Sequence, residues 1–213
     1  MVDVISYEKM MPDIRRTLVF SETFYSITLV LEGSDVIAVN GKSRRLKKGL
    51  IICSIPGEVW AFEAEPQIEA LNLIFEKEFL LSFFSDPHFL DRFTYLQADR
   101  SSPFLMADDA AFERIHTLYQ EMRREITDYA KKDQHILRAM LYETMMLLQR
   151  VPMVDAEQVG QDLHPRPDTG RSLPTAEIHH APGGRHRRPA ALRYRHLLRP
   201  PVQETHGDDT FGV

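Results

Sequence analysis

The chain has 213 residues, 43% hydrophobic and 27% charged, with a formal net charge of −5. That size fits one large domain, or one domain plus a small one, of ordinary soluble composition. The acidic balance excludes an overall electrostatic footprint for nucleic acid or acidic lipid. The single cysteine, Cys53, excludes an internal disulfide, and no apolar run approaches the ~20 residues that span a bilayer.

The opening "MVDVISYEKMMPDIRR" has no basic stretch followed by an apolar core, so it does not read as a signal peptide. The compartment implied is the cytoplasm. Residues 17–75 read as β. In "FYSITLVL", Tyr25, Ile27, Leu29 and Leu31 alternate with Phe24, Ser26, Thr28 and Val30, which predicts a strand with two distinct faces. "VIAV" follows the turn "EGSD", and Asn40-Gly41 predicts a two-residue hairpin, whose turn positions both need positive φ. "KSRRLKKG" is the polar return strand. "LIICSI" is a short apolar run expected to be buried, with Cys53 as an inert core thiol. Pro56-Gly57 makes the next turn, and "VWAFEA" and "IEALNLIFE" close the series. Short strands punctuated in this way predict a small antiparallel barrel or sandwich.

Residues 77–151 read as α. "EKEFLLSFFSDPHFLDRF" is an apolar helical stretch broken at Asp86-Pro87. From Asp108 to Tyr129, Phe112, Ile115, Tyr119, Met122 and Ile126 fall on one helical face, and Asp108-Asp109 suits its N-terminus. Lys132–Val151 repeats the pattern with Ile136, Leu137, Met140, Leu141, Leu147 and Leu148, giving an antiparallel helix pair. The apolar stripes serve either as core or as a surface shared with a second subunit. Met140, Leu141, Leu147 and Leu148 are the candidate dimerisation residues.

The stretch "FYSITLVLEGSDVIAVNGKSRRLKKGLIICSIPGEVWAFE" resembles the cupin-type sensor domain of AraC-type bacterial transcription factors. The matching residues are Phe24-Tyr25, Val30-Leu31-Glu32-Gly33, Asn40-Gly41, Leu46, Gly49, Pro56-Gly57-Glu58 and Phe62. "NLIFEKEFLLSFF" and the helix pair are also similar to that family, so the resemblance covers roughly residues 14–151. It implies a small antiparallel cupin-like β-barrel that senses an effector, helices that often mediate dimerisation, and a C-terminal domain of two helix-turn-helix units for promoter DNA.

Enzymatic cupins hold a metal on histidines and a glutamate. At the corresponding positions this chain has Phe20, Glu22 and Ser26 on the first strand and Trp60 after the Pro-Gly turn. One carboxylate cannot hold a catalytic transition metal. His88, His116 and His135 lack metal-site spacing and read as surface or capping residues. No cofactor is therefore expected, and the enzyme reading is set aside. The candidate effector pocket comprises Phe20, Glu22, Phe24, Ser26 and Trp60. Its aromatics either stack on a small ligand or fill the space a metal site would occupy.

Beyond residue 151 the composition changes. Eight of the thirteen prolines and six of the nine histidines fall there, and every basic residue is Arg or His. "HHAPGGRHRRPAALRYRHLLRPP" is too rich in Pro and Gly for a helical bundle. Three readings stand: a disordered basic linker, an Arg-rich nucleic-acid arm, or a domain in the wrong frame. Starting each codon one base later forces Lys or Arg where Gln203 meets Glu204 and where Glu204 meets Thr205. It also permits "YFGRQFKKHTGMTPSE", which is similar to the family's signature near the end of its second helix-turn-helix. The tail therefore reads as a domain in the wrong frame.

The expectations are thus an α+β chain in three parts. Residues 1–76 form the cupin-like sensor barrel and 77–151 a helical, dimerising region. Residues 152–213 are a largely disordered, out-of-frame remnant of a DNA-binding domain. The function expected is that of an AraC-type regulator sensing a small molecule, as a homodimer, with its promoter-binding half lost. The alternative is a stand-alone cupin-like small-molecule binding protein with a disordered basic tail.

Overall fold

Asn40 and Gly41 both sit at positive φ, 48° and 75°. The turn they form joins β4 (Val36–Val39) to β5 (Lys42–Arg45), as the hairpin sequence requires. Around this hairpin the computed structural model describes residues 1–16, 18–82, 84, 86–127, 133–157 and 190–191. The chain begins with β1 (Val2–Ser6), α1 (Tyr7–Arg16), β2 (Val19–Ser21) and β3 (Tyr25–Gly33). After the hairpin come β6 (Leu50–Ser54), β7 (Val59–Phe62), β8 (Ile68–Phe75) and α2 (Lys77–Leu81). Then follow β9 (Phe104–Met106), α3 (Asp109–Thr127), α4 (Gln134–Leu148) and a two-residue strand β10 (Ala190–Ala191).

The strands form two five-stranded sheets, ordered β1-β8-β3-β6-β9 and β10-β2-β7-β4-β5. Every pairing is antiparallel except β10 beside β2. The architecture is α+β and cupin-like, and the alternation in β3 explains it. Ile27 and Leu29 join Ile51, Cys53, Leu71 and Leu73 in a core shared with Ile115, Tyr119, Met122, Leu141 and Met145 of the helices. Phe24 and Val30 face the other way and join Ile52 and Ile74 against Phe20, Val39, Trp60 and Phe62 of the second sheet. One sheet is thus covered on both faces. That is why β3, β6 and β8 read as near-continuous apolar runs rather than clean alternations.

Hydrogen bonds at helix ends and helix-to-strand contacts fix the helical layer. Asp108 Oδ1 accepts the N–H of Ala111 at 2.8 Å, and Asp133 Oδ1 accepts that of His135 at 2.8 Å, so each long helix begins at an aspartate cap. Tyr119 donates its hydroxyl to the Ile27 carbonyl at 2.9 Å, docking α3 on β3. Tyr95 donates to the Met145 carbonyl at 2.8 Å and holds α4.

Several expectations need correction. Residues 76–93 are not one helix broken at Asp86-Pro87: α2 stops at Leu81, and Phe89–Arg92 and Thr94–Leu96 are 3-10 turns. Their Phe89, Leu90, Phe93 and Leu96 still reach the core, so the apolar signal reported burial rather than helical period. The parts expected before and after residue 76 are in contact. β9 lies beyond it yet pairs with β6, and the helices share a core with the barrel sheet. Residues 152–157, grouped with the tail, lie along the barrel rim. Met106 N–H donates to the Pro152 carbonyl at 3.0 Å, Val154 N–H to Phe104 at 2.9 Å, and Glu157 N–H to Ser43 at 2.8 Å. Arg44 donates to the Asp155 carbonyl and stands 3.5 Å from the Glu157 carboxylate. The disorder expected after about residue 165 lies outside the described residues, apart from Ala190–Ala191.

Candidate functional site

The inner face of the barrel is not uniformly apolar. Ser26 and Thr28 on β3, Ser54 on β6 and Asn72 on β8 all point into it. Register explains why they meet: Ser26 is paired with Ser54, and Thr28 with Asn72. Glu22 enters from the segment after β2, where its backbone carbonyl accepts the N–H of Gly57 at 2.8 Å. Gly57 has φ +91°, which a side chain would strain, so the Pro-Gly turn itself brings this donor to the Glu22 backbone.

The side chains form short hydrogen-bonded pairs. Ser26 Oγ donates to Glu22 Oε2 at 2.5 Å. Trp60 Nε1 donates to Ser54 Oγ at 3.0 Å, and Thr28 Oγ1 to Asn72 Oδ1 at 3.1 Å. Asn72 Nδ2 stands 3.7 Å from Met10 Sδ on α1. Glu22 is 1% exposed, and its Oε1 has no hydrogen-bond partner among the described residues. Burial pushes the Glu22 carboxyl up to about 7. The neighbouring Ser26 and Asn72 side chains lower it, and the negative charge of Glu58 raises it further.

Aromatic rings wall the same core. Phe20 and Trp60 stack with centroids 6.0 Å apart and planes at 17°, and Phe62 lies 6.3 Å from Phe20. All five pocket residues read from the sequence are buried: Phe20, Glu22, Phe24, Ser26 and Trp60. Phe20, Phe24 and Trp60 belong to one core cluster. Thr28, Ser54 and Asn72 were missed as site residues. The signal for Asn72 was a lone amide inside the apolar run "ALNLIF".

Beside the barrel lies a second polar group. Glu58, from the Pro56-Gly57-Glu58 turn, accepts from Arg100 Nη2 at 2.5 Å, from Asn40 Nδ2 at 3.2 Å and from the Ile55 N–H at 3.0 Å. Arg100 also donates to the carbonyls of Cys53 at 3.0 Å and Gln97 at 2.8 Å. This buried pair ties the segment before β9 to the hairpin and the Pro-Gly turn.

Of the four candidate dimerisation residues, Leu141 and Leu148 are 0% exposed within the chain and complete its own core. They are not available to a partner. Met140 and Leu147 are half-buried and Ile136 is 46% exposed, so this part of α4 keeps apolar surface.

Burial pushes the Cys53 thiol up to about 12. It lies on the helix-facing side of the sheet, away from the Glu22 cluster. Among the described residues no three His, Cys, Asp or Glu side chains converge to hold a metal ion. No helix among them is long and apolar enough to cross a membrane.

A family model described as the AraC-like ligand binding domain matches residues 7–145. A search of curated protein sequences finds no match. Among solved structures, the chain is similar to the AraC-like transcriptional activator CuxR at 8% identity and a TM-score of 0.41, covering 75% of this chain and 52% of that one. It is similar to ToxT from Vibrio cholerae at 12% identity and a TM-score of 0.36, covering 76% of this chain and 60% of that one. Vicilin from Solanum lycopersicum (tomato) is matched at 16% identity and a TM-score of 0.23, covering 60% of this chain and 42% of that one. The chain thus spans about half to three-fifths of the two regulators.

Proposed function

Because the chain belongs to the AraC-like ligand binding domain family by its match over residues 7–145, we propose that it is the sensor part of a transcriptional regulator that takes a small effector into its barrel. The observation that carries this reading is the buried polar cluster of Glu22, Ser26, Thr28, Ser54 and Asn72 on the inner face. Burying such groups costs stability that an apolar core would not lose. A carboxyl oxygen without a donor is the feature a ligand would satisfy. The role is binding and not catalysis. Cys53 is a buried thiol on the other face of the sheet, and the Ser26 hydroxyl that donates to Glu22 is itself fully buried.

The working form is a homodimer in the cytoplasm, joined through Ile136, Met140 and Leu147 on α4. The promoter-binding half belongs to the region after residue 157. Its helix-turn-helix units are encoded one base out of frame, so this chain does not recognise a promoter. The nucleotide sequence tests that directly. An open frame for two helix-turn-helix units, displaced by one base, supports it, and a frame that stays closed refutes it.

Trp60 is the only tryptophan in the chain, so its emission reports the barrel alone. A thermal-shift screen of small metabolites on the full chain is the test of the effector reading. Compounds that stabilise the protein are expected to change Trp60 emission as well. Stabilising compounds that consistently leave Trp60 unchanged would place the effector elsewhere.

A further inference from the structure

We infer that the Glu22 cluster recognises a small organic cation, whose ammonium group binds at the carboxyl oxygen that lacks a donor. This rests on the reading of the barrel interior as the effector site, and it adds the ligand's chemical class.

Most hydrogen-bonding groups of the cluster are paired with one another. Trp60 is paired with Ser54, Thr28 with Asn72, and Ser26 with Glu22. What remains among the described residues is Glu22 Oε1, an acceptor: the Asn72 amide lies near enough to favour the ionised carboxyl but its Nδ2 is turned to Met10 Sδ at 3.7 Å and makes no hydrogen bond to it. A neutral polyol needs several donors and acceptors, and most of those here are already engaged with one another. An anion would meet Glu22 and, beyond it, Glu58. A single positively charged donor fits what is left.

Charge points the same way. The apolar residues of this core are Ile5, Tyr7, Met10, Phe20, Phe24, Ile52, Trp60, Ile74 and their neighbours, and among the described residues Arg100 is the one buried cation. The charged side chain felt at Glu22 is Glu58. The cation near Glu58, Arg100, is held by Glu58 itself and by two backbone carbonyls. Tyr7 is the other titratable group in this core. Among the described residues Glu22 therefore has no counter-charge, and a buried carboxylate without one takes up a proton instead. A ligand ammonium supplies the missing charge and displaces that proton. The stacked rings of Phe20 and Trp60 add π faces, which attract cations and accept an apolar body.

The test uses the full chain, Trp60 emission and titration calorimetry. The probes are n-butylammonium and phenethylammonium, their neutral alcohols, the matching carboxylates, and potassium chloride at equal ionic strength. The ammonium probes are expected to bind at least about tenfold more tightly than the alcohols, since a charge-assisted bond replaces a neutral one. Their affinity should rise about tenfold from about pH 6 to about pH 8 as the competing proton leaves. Heats should depend on the buffer's ionisation enthalpy, reporting proton release. Glu22→Gln should lose both the preference and the pH dependence. Ser26→Ala removes a donor that favours the ionised carboxyl, so it should move the pH midpoint upward and serves as a second variant. Equal binding of alcohol and ammonium overturns the inference, as does wild-type ammonium binding by folded Glu22→Gln. Potassium competing as well as the ammonium salts overturns the organic assignment. If neutral or anionic probes move Trp60 while the ammonium series is silent, the cation is wrong and the effector reading stands. Silence from all three classes sinks both.

Discussion

Glu22→Gln should make the protein more stable, and only above mid-acid pH. The Glu22 carboxyl ionises near 7 in the fold against an ordinary value of 4.5. Between those values the folded chain holds a proton that the unfolded chain has released. Stability therefore falls as pH rises through this window, by about 1.4 kcal/mol per pH unit, and levels off above the folded value. Below the ordinary value both states are protonated and nothing is lost. Over the whole interval the loss is about 3 kcal/mol, caused first by burial. Gln has the shape of the protonated acid and can still accept from Ser26, so it escapes the loss. Urea unfolding of both proteins from about pH 4.5 to about pH 8.5 gives the difference directly, because every other titrating group cancels. The variant should match wild type at the acid end and exceed it by about 3 kcal/mol at the alkaline end. A difference that stays constant across this range would refute the reasoning and mean that Glu22 is solvated or already paired with a cation.

Arg100→Ala should cost about 3–5 kcal/mol, because it leaves Glu58 buried without its cation; denaturant unfolding of the single variants and of the Arg100→Met, Glu58→Leu pair checks it, with the pair losing less. Cys53 should resist alkylation in the native protein, its thiol being fully buried and pushed up to about 12. Labelling should accelerate only with denaturant, and fast stoichiometric labelling of folded protein would contradict this. Met140→Lys with Leu147→Lys should lower the sedimentation mass if α4 pairs with a second copy, whereas a wild-type chain that sediments as a monomer at high concentration removes the case for a dimer.

The strands from β3 to β8 were legible because local chemistry and tertiary placement agree there. Asn40-Gly41 and Pro56-Gly57 fix turns by positive φ, and the period-two split of β3 sorts side chains between two cores. β1 and β9 were not legible. Val2, Val4 and the three residues of Phe104–Met106 are too short to carry a period, and both strands exist because they complete a sheet edge. The aromatic half of the candidate site followed from strand alternation. The polar half did not, because Ser54 and Asn72 become neighbours of Ser26 and Thr28 only through cross-strand register. Leu141 and Leu148 share an apolar stripe with Met140 and Leu147, and sequence period alone does not divide the side that meets the sheet from the side that remains at the surface.

The short run from Pro152 to Glu157 is fastened to β9 and then to β5, so the chain departs from the rim of the barrel and not from the end of α4. This makes the rim a mooring. A pull applied to the chain just after Glu157 is borne first by Ser43, Arg44 and Arg45, at the attachments of Asp155 and Glu157. Only after those let go does it reach Val154 and Phe104, and only then the helix pair. Tension on this segment is thus delivered to the same hairpin whose Asn40 and Val39 border Glu58 and Trp60. The peeling order, from Glu157 back toward Pro152, sets which part of the sensor yields first.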